Sequence, residues 1–293
     1  MIQAFFAFLI IIIGISFTIY SFFYEKKNLI LVSLFILFSV LSLFFWQVAI
    51  LVILPFIFYK KYHFGQFITL NMFAAALLSW FYLNLFFLDL PFTILIAIIS
   101  LIVLCSLAIL GIFENDIRSY LLLSNAIQIL FVIVDLSVAN FLGEFGPLIT
   151  IQIFNYTFAG LVFFLTIGMF GRNKKYVYEL EGSLFASRWN DVFATIACLS
   201  LAGLPAFNMF VSEWLMFIKS FSVTPVITIL GIFAALLLFI MYYKVIYFLL
   251  IGKTRKKDIP QSMTLLNGTL AIICLLLGFF PHVQLEILSR LVV

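Results

Sequence analysis

The sequence predicts an all-α polytopic membrane protein of about ten transmembrane helices, one of them discontinuous near Pro205. Three observations predict it. Of 293 residues, 66% are hydrophobic and only 10% charged, with a mean hydropathy of +1.29. Soluble domains average about 45–50% apolar and about 25% charged residues, and a globule of this size could not hide so much apolar surface from water. The apolar runs mostly approach or exceed the roughly 20 helical residues that cross hydrocarbon, and they lack the period-two alternation of a membrane barrel. Disorder, a collagen-like fibre and a disulfide scaffold are excluded by the same figures.

Cut at charges and turn residues, the runs give spans at 2–24, 28–45, 47–59, 67–87, 92–113, 119–138, 147–170, 192–220, 226–251 and 265–284, within one transmembrane domain over 1–293. The second and third also read as one long helix with a re-entrant piece. The first span lacks a basic n-region and a small-residue cleavage site, so it reads as retained rather than as a signal peptide. With this count, the loops at 25–27, 60–66, 114–118, 171–191 and 252–262 share one face and hold thirteen of the sixteen Lys and Arg residues. The opposite loops carry Asp89 and Glu144 and no basic residue. The positive-inside rule makes the basic face cytoplasmic, or the matrix in a mitochondrion. Basic residues are thereby explained by topology, and nothing supports nucleic-acid binding.

Cys105, Cys198 and Cys274 all lie in apolar runs without metal-ligand spacing, and read as small buried hydrophobes. His63 and His282 are far apart and flank hydrophobic segments, which argues against a haem or zinc site. No cofactor is expected in this chain. The aromatic pairs, such as Phe163-Phe164, read as lipid-facing or packing residues.

Few ionisable groups fall within spans: Glu213, Lys219, Lys244 and, nearer an end, Asp135. A charge at bilayer depth costs at least ~2.5–3.5 kcal/mol, so it turns inward to a partner or a task. Glu213 lies eight residues past Pro205, where the helix is expected to break near Gly203-Leu204-Pro205. Backbone groups freed at membrane depth need protein or water partners, so an acid beside them is well placed to hold a proton. The alternative is an ion pair with Lys219 or Lys244 that pins helices. Lys244 reads either as a relay partner of Glu213 or as a side chain snorkelling to the interface. Lys219 is expected at the interface, and Asp135 to reach water at its helix end.

The stretch Leu199-Ser200-Leu201-Ala202-Gly203-Leu204-Pro205-Ala206-Phe207-Asn208-Met209-Phe210-Val211-Ser212-Glu213-Trp214-Leu215 resembles the discontinuous helix of the antiporter-like membrane subunits of complex I, related to Mrp antiporters and membrane-bound hydrogenases. Four further pieces agree in order: Glu114-Asn115-Asp116-Ile117-Arg118 with Ser124-Asn125; Asn155 with Leu161 to Leu165 and Gly168; Glu179-Leu180-Glu181-Gly182; and Tyr243-Lys244 with Gly252 and Pro260. Residues 114–284 match better than 1–113. The departures are Ala206 for the second proline and Met209 for a glycine. Gln47 and Gln66 stand near a glutamate and a lysine of the family's relay, and Tyr156 and Gly160 take the places of its histidine and lysine. Glutamine carries no titratable proton, so these four mark a degenerate channel.

The resemblance implies a truncated antiporter-like fold and a membrane-arm subunit of proton-pumping NADH:ubiquinone oxidoreductase. It assigns proton translocation to Glu213, Lys244 and Lys219, with Pro205 and Gly203 at the helix break. The short length points to chain 2, whereas glutamate at 213 is more typical of chain 4. Implied partners are the other membrane-arm and peripheral-arm subunits and membrane lipid. The Phe-rich composition suits a mitochondrial inner membrane, the alternative being a prokaryotic plasma membrane. Two other readings stay open: a bracing or assembly subunit whose channel is degenerate, and a subunit of a membrane-bound hydrogenase.

Overall fold

A computed structural model describes residues 90–143, 147–171, 176–180, 188–251 and 261–292. The expected spans up to residue 87, with Gln47 and Gln66, lie outside them. The elements in order are α1 (Leu90–Phe113), α2 (Ile117–Leu142), α3 (Pro147–Gly171), a 3-10 turn (Val177–Leu180), α4 (Arg188–Leu201), α5 (Asn208–Val223), α6 (Pro225–Leu250), α7 (Gln261–Phe279) and α8 (Pro281–Val292). Among the described residues there is no strand, only an isolated bridge between Asp116 and Tyr176. Helices α1, α2, α3 and α6 are long and apolar enough to cross a membrane. The chain is an all-α, multi-pass membrane protein.

Local chemistry sets the helix ends. Asp116 caps α2 by accepting from the backbone N–H groups of Arg118 at 2.7 Å and Ser119 at 3.1 Å, which satisfies donors that have no partner within the helix. Gly143 closes α2 in the left-handed conformation, at φ 70°, where glycine carries no Cβ penalty. Thr224 alone joins α5 to α6. Its N–H donates to the Ser220 carbonyl at 2.9 Å, and its hydroxyl caps α6 ahead of Pro225 at the first helical position.

Helix α3 is the axis of the bundle. All of its residues from Leu148 to Ile167 are buried, as expected of a helix apolar on every side. Phe163 meets Tyr242 of α6 edge-on at 5.6 Å between centroids, and Tyr120 of α2 at 6.4 Å, so one ring locks three helices. Phe163 and Phe164 are packing residues. The three cysteines are free and buried. Outward faces of α1 and α6 are lined by exposed Ile, Leu and Phe side chains, the surface a hydrocarbon solvent requires.

Charge-based topology passes a geometric check. Loops 114–118 and 171–191 were assigned to one face, and the structure joins them: Val177 donates its N–H to the Asn115 carbonyl at 2.8 Å beside the Asp116–Tyr176 bridge. One expected span needs correction. The run 265–284 is not one helix but two, α7 and α8, because Pro281 has no N–H to continue α7 and instead occupies the first position of α8.

Candidate functional site

The expected break in the 192–220 run is present, and glycine rather than proline makes it. At the end of α4, the Leu204 N–H reaches back to the Leu199 carbonyl at 3.3 Å and the Gly203 N–H to Ser200 at 2.9 Å. These 6→1 and 5→2 bonds are a Schellman stop with Gly203 at its left-handed position, φ 65°. Pro205 lies just outside, where it blocks any continuation. Ala206 also has positive φ, 78°, before α5 restarts at Asn208. Proline, locked near −65°, could not stand at 206, so the departure from the family's double proline is built into this turn.

Two close approaches fix the turn in place. A Cβ on Gly278 of α7 would stand 2.5 Å from the Cα of Phe207, so only glycine lets α7 pack backbone to backbone on the break. A Cβ on Gly203 would run into the Glu213 carboxyl, 2.6 Å from its Cδ. Helical side chains tilt toward the N-terminus, and Glu213, one and a half turns into α5, leans back onto Gly203. Glu213 is 2% exposed, and its Oε1 has no protein partner among the described residues.

Near this break lies a buried polar cluster drawn from six helices. Asn208 accepts from the Ser200 hydroxyl at 2.5 Å and donates to the Asn155 carbonyl at 2.9 Å, tying α4, α5 and α3 together across the break. Gln284 of α8 donates to the Asn155 side chain, and Tyr156 donates to Asn125. Tyr242 of α6 shares a 2.7 Å hydrogen bond with Ser124 of α2, and Gln128, one turn on from Ser124, donates to the Leu201 carbonyl at 3.5 Å. Several polar atoms in the cluster have no protein partner among the described residues: Asn125 Nδ2, Gln128 Oε1, Asn155 Nδ2 and Gln284 Oε1. Buried groups of this kind are normally completed by ordered water.

The remaining expected site residues are dispersed. Lys244 is not beside Glu213: its ammonium donates to the carbonyls of Ile112 at 2.9 Å and Glu114 at 2.6 Å and to Asn115 Oδ1 at 3.1 Å, closing the C-terminal end of α1. All three donors are used, which favours capping over relay. Lys219 sits half-buried in α5, about 9 Å along the axis and about 240° round from Glu213; neither lysine pairs with the acid. Tyr156 and Gly160 are buried on α3. Asp135 corrects the sequence reading. It does not reach water: it is 1% exposed, with Oδ1 unpartnered among the described residues. Sequence reasoning also passed over Gln128, Tyr242, Gln284 and Gly278. The i, i+4, i+11 spacing of Ser124, Gln128 and Asp135 was the available signal, since it makes one polar stripe on an apolar helix.

No protein-family model and no curated protein sequence matches the chain. Solved structures do. A chain of the archaeal membrane-bound sulfane sulfur reductase aligns over 83% of this chain and 54% of its own, at 16% identity and TM-score 0.67. A chain of respiratory complex I from Thermus thermophilus with bound NADH aligns over 84% and 60%, at 15% identity and TM-score 0.57. A chain of the Mrp complex from Dietzia sp. DQ12-45-1b aligns over 64% and 45%, at 15% identity and TM-score 0.56. The fold is shared with chains of these three membrane complexes. The chain spans about half the length of the proteins it is like, so the fold is shared over part of their length.

Proposed function

We propose that the chain is a membrane-arm subunit of a proton-pumping NADH:ubiquinone oxidoreductase, chain 2-like, in a mitochondrial inner membrane, and that Glu213 holds the proton it moves. The observation that carries this reading is the Glu213 carboxyl, buried at membrane depth against the Gly203 stop, with one oxygen open to a non-protein partner. The likeness to chains of complex I and the Mrp complex supports it at the level of fold. In this reading electrons travel through other subunits, and the chain supplies a carboxyl, a break in the helix and a polar cluster able to hold water. Motion of a neighbouring subunit's charge alters the local field and loads or releases the proton.

Co-purification tests the assignment. Extracted from its own membrane in mild detergent, the chain should bring with it an NADH-oxidising flavoprotein and NADH-dependent quinone reduction. Recovery with a nickel–iron hydrogenase or a sulfur reductase would overturn it.

A second reading, that the chain braces the arm and moves no proton, is favoured by Lys244. A lysine expected in a relay spends all its donors on the end of α1. Under this reading, loss of the chain dismantles the complex while neutral replacement of Glu213 changes nothing.

A further inference from the structure

A line of polar contacts leads from the basic-loop face to the helix break. It follows one stripe of α2, from the cap Asp116 through Tyr120, Ser124 and Gln128, each one turn deeper than the last. At its mouth the Lys244 ammonium closes the end of α1 on Glu114 and Asn115. The Tyr120 hydroxyl then donates to the Met241 carbonyl of α6 at 2.8 Å, and the Ser124 and Tyr242 hydroxyls share their bond of 2.7 Å. Deeper still, the Gln128 amide stands 3.5 Å from the Leu201 carbonyl at the end of α4. At 1.5 Å per residue these rungs lie roughly 6, 12 and 18 Å below Asp116, and all four side chains are buried. Just past Leu201 comes Gly203, where a Cβ would stand 2.8 Å from Glu213 Oε1. Gln128 and the Glu213 carboxyl therefore flank the same turn, and each has an oxygen without a protein partner among the described residues.

The opposite side of the break is built differently. There Asn208 donates to the Asn155 carbonyl at 2.9 Å and Gln284 donates to the Asn155 side chain, so amides close on one another. An amide keeps its donor nitrogen and acceptor oxygen apart, so it does not pass a proton along as a hydroxyl does. On α5 the buried Met216 occupies the face between Glu213 and the Ser220–Thr228 hydroxyl pair.

We infer that this seam between α2, α6 and α4 is the route by which Glu213 exchanges its proton, and that it opens to the basic-loop face and not to the other. The inference rests on the proton-holding role proposed for Glu213. The Ser124–Tyr242 bond joins two hydroxyls, either of which can be the donor, so its sense can reverse as a proton passes. Gln128 is a positioning residue: its free Oε1 accepts from the water that bridges to the Glu213 carboxyl. Water on the basic-loop face gives up one proton, each hydroxyl and water along the seam accepts one and releases one, and the Glu213 carboxylate ends protonated.

A hydrophobic carbodiimide, which reacts only with protonated carboxyls, tests the route in the resting complex sealed into vesicles of known orientation. Short labelling pulses follow an acid step on one side, and labelling of Glu213 is read by peptide mass mapping. The expected result is labelling that rises when the basic-loop compartment alone is acidified, ignores the opposite compartment, and loses this response in Gln128→Leu. Labelling that is absent, that follows the opposite compartment alone or equally, or that keeps its full response in Gln128→Leu would overturn the seam. Should Gln128→Leu fail to assemble, Tyr242→Phe, which keeps the ring against Phe163, takes its place with the same two outcomes. The proton-holding role of Glu213 fails separately, if Glu213→Gln pumps normally while the wild-type label still follows the basic-loop side.

Discussion

Replacing Gly203 by alanine should do two distinct kinds of damage, and a second glycine separates them. Gly143 and Gly203 both have left-handed backbone, at φ 70° and 65°. A Cβ at 143 meets nothing within 4 Å among the described residues, whereas one at 203 collides with the Glu213 carboxyl. The left-handed backbone costs alanine about 1–2 kcal/mol, offset in part by the stiffer unfolded chain, worth about 0.4–1 kcal/mol. Gly143→Ala should therefore lose about 1 kcal/mol. Gly203→Ala adds the displacement of Glu213 from its rotamer, about 0.5–1.5 kcal/mol, for a total near 2 kcal/mol. Thermal unfolding of the detergent-solubilised protein compares the two, and proton translocation should fall only in Gly203→Ala. Shortening the acid in Gly203→Ala/Glu213→Asp should recover the excess but not the backbone part, giving a coupling of about 1 kcal/mol in a double-mutant cycle. Equal losses at 143 and 203, with translocation intact, would refute the contact between the stop and the acid.

Other outcomes follow from the same geometry. Ala206→Pro, which restores the family's second proline, should prevent the break from forming, since φ 78° is closed to proline; Ala206→Gly should raise the unfolding temperature slightly. Lys244→Met should cost about 1–3 kcal/mol by uncapping α1, with proton movement per electron unchanged in whatever assembles; pumping lost at full stability would restore a relay role. Tyr156→Phe should destabilise by about 1–3 kcal/mol, because it leaves the buried Asn125 amide with less to bind, as read by unfolding in detergent. Gly278→Ala should be the most damaging single-methyl addition, with its Cβ against the Phe207 backbone rather than a side chain that can yield, and is scored as loss of assembled complex.

Much of this was legible in the sequence where solvent chemistry acts locally. The runs 92–113, 147–170 and 226–251 fall within two residues of α1, α3 and α6 at both ends, because a bilayer demands length and apolarity and because Pro147 and Pro225 mark helix starts. The break was legible as a place but not in its cause: Pro205 stood out, while the Schellman bonds of Gly203 appear only in three dimensions. Asp135 was misjudged because α2 runs on to Leu142, past the expected end at 138, and because a neighbouring helix can cover a residue near a helix end. Lys244 was ambiguous for the opposite reason, since its partners are carbonyls, which no side-chain pattern displays. Asn155, Asn208 and Gln284 are far apart in sequence, so their meeting at the break depends on how α3, α5 and α8 pack.

The central claim is that the Glu213 carboxyl carries a proton from within the helix break. The most direct test is the number of protons translocated per electron in Glu213→Gln, measured in sealed vesicles on a complex shown to assemble at wild-type level. The account predicts a lower ratio with electron transfer retained, and partial recovery in Glu213→Asp. An unchanged ratio would contradict it.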